Sequence, residues 1–235
     1  MTDLADFETL FQTAIRLNNT AVTLQERRHY LLAHETLKDA MLCMQLILRP
    51  EHYGVWPTMQ DMALKINLAD ERVHMAEERP LGKDNPVGDD TGLLENRFFE
   101  NSRPLYIVES VVIDYGNLDQ TGVDLNSAII VFNFGLTYLG LAICNTPQNR
   151  QILYEASVEL FYLSYSILVK LSVETDQLDF CEYILRLSMK ILRQTIDVDS
   201  VIGRNIEKLE NLLHNAEESF AVLHHIGQSS VAAAA

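Results

Sequence analysis

The chain has 235 residues, of which 48% are hydrophobic and 22% are charged, proportions that are typical of globular proteins and exclude wholesale disorder. Ten Gly and six Pro are few for this length, which argues against a β-sandwich or a barrel because such folds need many turns. Acidic residues outnumber basic ones 33 to 18, and the net charge of -15 disfavours nucleic acid and anionic membranes as partners.

The cysteines and the first residues bear on the compartment. Cys43, Cys144 and Cys181 form no C-x-x-C pair, so we expect three free, buried thiols in a reducing compartment. The first ten residues lack the basic flank and apolar run of a secretory signal. The apolar stretches are also shorter than the roughly 20 residues that span a bilayer. We therefore expect a soluble cytoplasmic or nuclear protein that does not enter a membrane.

Residues 1–48 have the pattern of a helical hairpin. Apolar residues recur at spacings of three and four from Leu4 to Leu24, which predicts an amphipathic helix. Arg27 and Arg28 interrupt the stripe, so a turn is expected there. The stripe resumes at Tyr30 and predicts a second helix, which Pro50 should end.

Residues 49–124 lose this rhythm and are predicted to form an irregular acidic insert. Pro and Gly recur through it, which predicts disorder around Glu77–Asn96, with a short helix over Met59–Leu68. The run Leu105–Tyr115 is rich in β-branched and aromatic residues and is predicted to be the one extended segment.

Helical periodicity returns in residues 125–227, which are predicted to form two further hairpins that pack with the first into one domain. The four predicted helices are Leu125–Ile143, Ile152–Ser172, Leu178–Thr195 and Asp199–His225. Polar side chains just before the last helix offer it N-caps: Asp197, Asp199 and Ser200. Residues 228–235 are predicted to be a disordered tail.

Small and large residues follow a fixed spacing in the first hairpin: Ala21, Leu24, Tyr30, Ala33, Leu37 and Ala40. This spacing resembles the tetratricopeptide repeat, a helix-turn-helix unit of about 34 residues. In that repeat small residues stand where two helix backbones approach, and large ones where the next repeat packs. A second unit has the same pattern, with Ser replacing Ala in its second helix: Gly135, Tyr138, Ser157, Phe161 and Ser164. The resemblance implies an all-α fold of antiparallel helical hairpins in a right-handed superhelix, interrupted by one long irregular insert.

The sequence departs from the repeat in three ways. The turn inside the second unit is lengthened by CNTPQNR, the proline that usually ends a repeat is missing, and the third helix pair fits only loosely. An irregular helical bundle is therefore the alternative architecture, since the same spacing of small and large residues occurs in ordinary packed helices.

Short motifs for catalysis or cofactor binding are missing from the sequence. It contains neither a Gly-rich phosphate loop nor a G-x-S-x-G turn, and His34-Glu35 is followed by Lys38 where a helical zinc pair needs a second His. We therefore expect no enzyme, no cofactor and no metal. An enzyme with no recognisable motif is kept as the second alternative.

The resemblance implies a peptide-binding groove. In such repeats the place of Asn19 and Asn133 on the first helix faces the concave surface, where an amide can bind a peptide backbone. Ile15, Ile129 and Phe132 would then favour an apolar side chain beside it. The alternative is that both amides bond to neighbouring helices.

A basic stripe stands out in this acidic chain. Arg186, Lys190 and Arg193 follow at spacings of four and three, so they share one face of a helix. They would suit an acidic segment of the bound peptide; the alternatives are a solvated helix face or pairing with the protein's own acids.

These patterns predict a non-enzymatic protein–protein interaction module or scaffold that binds a peptide or partner helix in a concave groove. The alternative is a structural subunit of a larger protein assembly, in which the insert wraps a neighbour or fills the groove. The identity of the partner and the oligomeric state stay open.

Overall fold

The computed structural model describes residues 4–48, 58–78, 104, 120–174 and 178–233. Within those ranges the chain forms seven helices and no strand, so the all-α prediction is confirmed. In chain order the helices are α1 (Leu4–Glu26), α2 (Tyr30–Leu48), α3 (Met59–Glu78), α4 (Gln120–Cys144), α5 (Pro147–Glu174), α6 (Leu178–Val201) and α7 (Glu207–Ala233). The predicted extended segment Leu105–Tyr115 lies outside the described residues, as does most of Glu77–Asn96.

The predicted turn at Arg27 and Arg28 is confirmed between α1 and α2. Arg28 has a φ of 60°, in the left-handed region that favours glycine. Its N–H donates to Gln25 O, and the N–H of His29 donates to Leu24 O. These two bonds form a Schellman motif, which satisfies the last carbonyls of α1 and reverses the chain.

The same motif ends α6, but there glycine occupies the left-handed position. Gly203 has a φ of 75°, and the N–H of Arg204 donates to Asp199 O. We expect Arg28→Gly to raise the free energy of unfolding by about 0.5–1 kcal/mol, because it removes the strain of a side chain at positive φ. Gly203→Ala should lower it by a similar amount. Urea unfolding of both variants measures the two changes, and equal signs would contradict this interpretation.

The insert contains α3, so the prediction of a short helix over Met59–Leu68 is corrected to a helix of 20 residues. Its start is fixed by a capping box: Thr58 N donates to Asp61 Oδ2, and Asp61 N donates to Thr58 Oγ1. These bonds hold the pKa of the Asp61 carboxyl below its usual value, first through the N–H of Thr58. One face of α3 packs on the hairpin through residues at heptad spacing: Met62, Ile66, Ala69, Val73 and Ala76.

Helices α4 and α5 form the second hairpin, with polar bonds along their contact. Ser157 Oγ donates to Gly135 O at 2.9 Å, and Ser164 Oγ donates to Ala128 O at 2.7 Å. A Cβ atom on Gly135 would lie 2.6 Å from the ring of Phe161, which is fully buried. The small residues therefore allow the two backbones to approach closely around one aromatic ring.

The boundary between α6 and α7 differs from the prediction. The helix predicted from Asp199 begins instead at Glu207, where Asn205 Oδ1 accepts from the N–H of Glu207. Asp199 is 1% exposed inside α6, where Tyr162 donates to it and Arg204 lies 3.5 Å away. Burial raises the pKa of this carboxyl, and Arg204 partly offsets the effect. The predicted tail is also corrected, because α7 continues to Ala233.

The three hairpins α1–α2, α4–α5 and α6–α7 follow one another, with α2 packed on α4 and α5 packed on α6. At the first junction a Cβ on Gly140 would lie 2.3 Å from the ring of Tyr30. Beside it, the ring of His34 contacts Phe134 and Tyr138. Helix α3 packs mainly on α1. On α1, Arg16 bonds to Asp70 of α3, whereas Asn18 bonds to Asn133 of α4. Arg16 and Asn18 lie on opposite faces of α1, so the first hairpin lies between α3 and α4.

Among the residues that the structure describes, two helices are long and apolar enough to cross a membrane, Gly122–Cys144 in α4 and Asn149–Ser172 in α5. This corrects the expectation that every apolar stretch is too short. In α4, 78% of the apolar window is buried inside the fold, so its apolarity is that of a core helix. The corresponding share in α5 is 33%. Of the three free thiols only Cys43 is buried, since Cys144 is exposed and Cys181 is half-buried.

Candidate functional site

An open groove of about 620 Å³ lies between α1 and α3. Pockets that bind drug-sized ligands have volumes of about 300–1,000 Å³, so the groove can hold a few residues of a peptide. The lining comes almost entirely from one face of α1, with two apolar side chains from α3: Thr9, Gln12, Thr13, Ile15, Arg16, Asn19, Thr20, Thr23, Ile66 and Val73. Two predicted peptide-binding residues, Asn19 and Ile15, are among them, but the side chain of Ile15 is only 4% exposed and belongs to the core.

The lining is mostly uncharged and rich in hydrogen-bonding groups. Thr13 Oγ1 donates to Thr9 O in its own helix at 2.7 Å, which leaves its lone pairs as acceptors. Asn19 Oδ1 accepts from Asn18 Nδ2 at 3.2 Å. A neutral surface of amides and hydroxyls is suited to a peptide backbone, whose own groups are uncharged donors and acceptors.

Two ion pairs join the walls of the groove. Arg16 Nη2 lies 2.8 Å from Asp70 Oδ2, and Arg27 Nη1 lies 3.0 Å from Glu77 Oε1. All four side chains are more than a third exposed, so each pair stabilises the contact weakly. The bond from Arg27 holds the pKa of the Glu77 carboxyl below its usual value. The pair with Asp70 neutralises Arg16, which is the one charged side chain in the lining of the groove.

A chain of buried polar groups lies behind Asn19. Asn133 Nδ2 donates to Asn18 Oδ1 at 2.9 Å, and Gln25 Nε2 donates to Asn133 O and to Thr137 Oγ1. Asn18, Asn133 and Thr137 are fully buried. These bonds join α1 to α4 across the junction of two hairpins, where a buried amide left without its bond would cost stability.

The structure corrects the placement predicted for Asn133. Its amide faces α1 inside the junction rather than a groove, so it does not share a surface with the groove side of Asn19. Ile129 and Phe132 are likewise in the core, at 2% and 0% exposure, because α4 is covered on several sides. A peptide could not reach these three side chains without separating the hairpins.

The basic stripe lies on α6, away from the groove, and contacts groups of the protein itself. Arg186 Nη2 lies 2.5 Å from Glu182 Oε1 and its guanidinium lies over the ring of Phe220. Lys190 lies 5.6 Å from the centre of the Phe132 ring, and Arg193 Nη2 lies 2.8 Å from Glu217 Oε1. This arrangement agrees with the alternative prediction, in which the stripe pairs with the protein's own acids.

The residues named for helix packing lie at helix contacts. All of them are buried except Tyr138, which is half-buried: Ala21, Leu24, Tyr30, Ala33, Leu37, Ala40, Gly135, Tyr138, Ser157, Phe161 and Ser164. Tyr138 Oη lies 3.3 Å from His34 Nε2 on α2. The pattern of small and large residues therefore predicted the helix–helix contacts correctly, independently of any family resemblance.

The sequence pattern predicted a short helix over Met59–Leu68 but did not predict that α3 forms a wall of the groove. The signal was present as the heptad spacing from Met62 to Ala76, but two of its five positions are alanines and the segment lies between Pro- and Gly-rich stretches. The polar lining of α1, such as Thr13 and Thr20, was also missed, because it resembled an ordinary solvated helix face.

Comparison with protein-family models, curated protein sequences and solved structures gives no match to this chain. In the part of the chain that the structure describes, no group of three His, Cys, Asp or Glu side chains is placed to hold a metal ion.

Proposed function

We propose that this protein is a non-enzymatic interaction module that binds an extended peptide segment in the groove between α1 and α3. The observation that supports this proposal most directly is the lining of the groove, where Asn19 lies among uncharged hydroxyl and amide groups beside Ile15. Such a surface binds the backbone of a peptide by hydrogen bonds, while the half-buried apolar groups of Ile66 and Val73 accommodate a side chain.

The architecture of the module is proposed to be that of a tetratricopeptide-like superhelix. Successive hairpins pack in order, and small residues such as Gly135 and Gly140 allow the close approach that this repeat needs. In this arrangement α3 occupies the outer face of the first hairpin, opposite α4, and completes the groove. We propose a cytoplasmic or nuclear location, on the basis of the charge and the free thiols.

Thr20→Arg should weaken peptide binding strongly, with little effect on folding. Thr20 lines the groove and is half-buried on α1, so a longer side chain would fill the groove without entering the core. Peptides selected from a displayed random library on the wild-type protein should bind the variant at least about tenfold more weakly, the loss of roughly 1.4 kcal/mol. Isothermal titration calorimetry with the selected peptides measures this change.

Asn19→Ala should weaken the binding of the same peptides by about 1–2 kcal/mol if the amide bonds to their backbone. A small loss of stability accompanies it, since Asn18 Nδ2 loses its bond to Asn19. The matched control is Asn215→Ala on the exposed face of α7, which should change neither property. Selected peptides that bind all three variants equally would show that the groove is not the site.

A structural subunit of a larger assembly is the second candidate, and α5 supports it. This helix exposes four large apolar side chains: Ile152, Tyr162, Leu163 and Val169. The same helix also exposes Glu159 and Lys170, a mixture that is typical of protein contacts rather than of lipid contacts. Sedimentation of the purified chain separates the candidates: a stable monomer supports the module, and self-association reversed by Leu163→Glu supports the subunit.

A further inference from the structure

Ion pairs join the middle of α3 to α2 of the first hairpin. Asp39 on α2 accepts from Lys65 Nζ at 2.5 Å and from Arg72 Nη1 at 3.5 Å, and Arg72 also donates to Thr36 Oγ1. The side chains of Asp39, Lys65 and Arg72 are only 17–24% exposed. We call these three residues the Asp39 latch. It is the best-shielded set of ion pairs between α3 and its neighbours among the described residues.

The fully buried apolar part of this contact is small. The buried apolar side chains of α3 are Met62, Ala69 and Ala76, and a methyl group removes little area from water. The opposite face of α3 exposes three large apolar side chains: Leu64, Leu68 and Met75. Two of these three buried side chains are alanines and the neighbouring Ile66 and Val73 are only half-buried, so we expect the ionic contacts of α3 to contribute appreciably to its packing on the first hairpin.

We propose that α3 is a strap that the Asp39 latch holds closed, and that its release removes one wall of the groove. Ile66 and Val73 leave with α3, so a peptide that contacts both walls binds the closed form better than the open form. The consequence for binding rests on the proposed function, but the opening of the strap is measurable without any peptide.

Cys43 provides the reporter for this opening. It lies one turn after Asp39 on α2, is 1% exposed, and is close enough to Lys65 for that charge to act on its pKa. Burial raises the pKa of the thiol to about 11, which keeps it protonated and unreactive in the closed form. Because Cys43 lies beside the latch, we expect release of α3 to expose this thiol to water and to an alkylating reagent.

The experiment follows the rate of maleimide labelling of Cys43 in full-length protein carrying Cys144→Ser and Cys181→Ser. Asp39→Asn should accelerate labelling about tenfold, because Lys65 and Arg72 lose the charge that holds them. High salt should accelerate labelling of the unaltered latch by a smaller factor through screening. A selected peptide should slow labelling, since coupling between groove and strap is reciprocal.

Two controls separate the strap from general loosening of the fold. Arg193→Gln removes an ion pair between α6 and α7, and should leave the Cys43 rate unchanged. Ser157→Cys, in a protein with Cys43→Ser added, places a thiol of similar size at a fully buried site of α5, and Asp39→Asn should not accelerate its labelling. Equal acceleration at both sites would overturn the proposal, because it would mean global opening.

The proposal would also be overturned if neither high salt nor Asp39→Asn changed the rate of labelling of Cys43. These outcomes differ from failure of the proposed function. If labelling changes as expected but Thr20→Arg does not change the affinity of the selected peptides, α3 opens as proposed and the groove is not the binding site. If Thr20→Arg weakens the binding of those peptides but the labelling rate of Cys43 stays constant, the groove is the binding site and α3 is a fixed wall.

Discussion

Ala33→Arg is expected to unfold the protein or to lower its free energy of unfolding by about 3–5 kcal/mol, the cost of a buried charge with no partner. Ala33 is fully buried in α2, at the contact with α1, and has only a methyl group there. A guanidinium at that position would either lose its water or force the two helices apart, and overpacking alone costs about 1–3 kcal/mol. Thermal and urea unfolding, followed by circular dichroism, measure the change.

Leu31→Arg is the matched control for this substitution. Leu31 lies two residues away on the same helix, but its side chain is 66% exposed. The same charge at that position remains in water, so stability should change by less than about 0.5 kcal/mol. Similar melting curves for Ala33→Arg and the wild type would contradict the α1–α2 contact itself.

The local pattern of the sequence predicted the first hairpin well and the insert poorly. In α1 and α2 the apolar residues recur regularly and the positions of Leu24 and Tyr30 define both ends of the turn. In α3 the apolar stripe is short and partly alanine, and the charges that hold it, such as Asp39 and Arg72, find their partners on another helix. Periodicity alone cannot pair charges that are far apart in the sequence.

The start of α7 was predicted wrongly for a related reason. Asp199 and Ser200 are typical N-cap residues, so a helix start was expected there. The carboxylate of Asp199 is instead buried with Tyr162 and Arg204, and the left-handed Gly203 ends α6 just beyond it. The tertiary partners decided between a cap and a helical interior, and those partners are invisible in the local sequence.

The candidate groove was only half predictable. Periodicity assigned Asn19 to a face of α1, and that residue does line an open groove. The same reasoning placed Asn133 on an open surface, but it could not tell which neighbour covers that face of α4. Because α1 packs there, one amide of the predicted pair is accessible and the other is structural.

Asn133→Asp is therefore expected to lower stability, by about 3–5 kcal/mol at neutral pH, rather than to act on peptide binding alone. The change is nearly isosteric, so packing is preserved. The donor that bonds to Asn18 Oδ1 is replaced by a charged acceptor facing that oxygen in a fully buried site. Asn133→Ala, which only removes the bond and leaves Asn18 buried, should cost less, about 1–3 kcal/mol.

The pH dependence gives this prediction a sharper test. Burial raises the pKa of the introduced carboxyl above its value in the unfolded chain, so the folded variant binds a proton more readily. The destabilisation relative to wild type should then be largest at neutral pH, shrink as the pH falls below the raised folded pKa, and reach its minimum by the unfolded value near 4, since the protonated group can again donate to Asn18. Urea unfolding of the variant and the wild type across this range measures the difference. A constant difference at every pH would show that the position is hydrated, in which case Asn133 faces an open surface and the peptide-binding role first predicted for it returns.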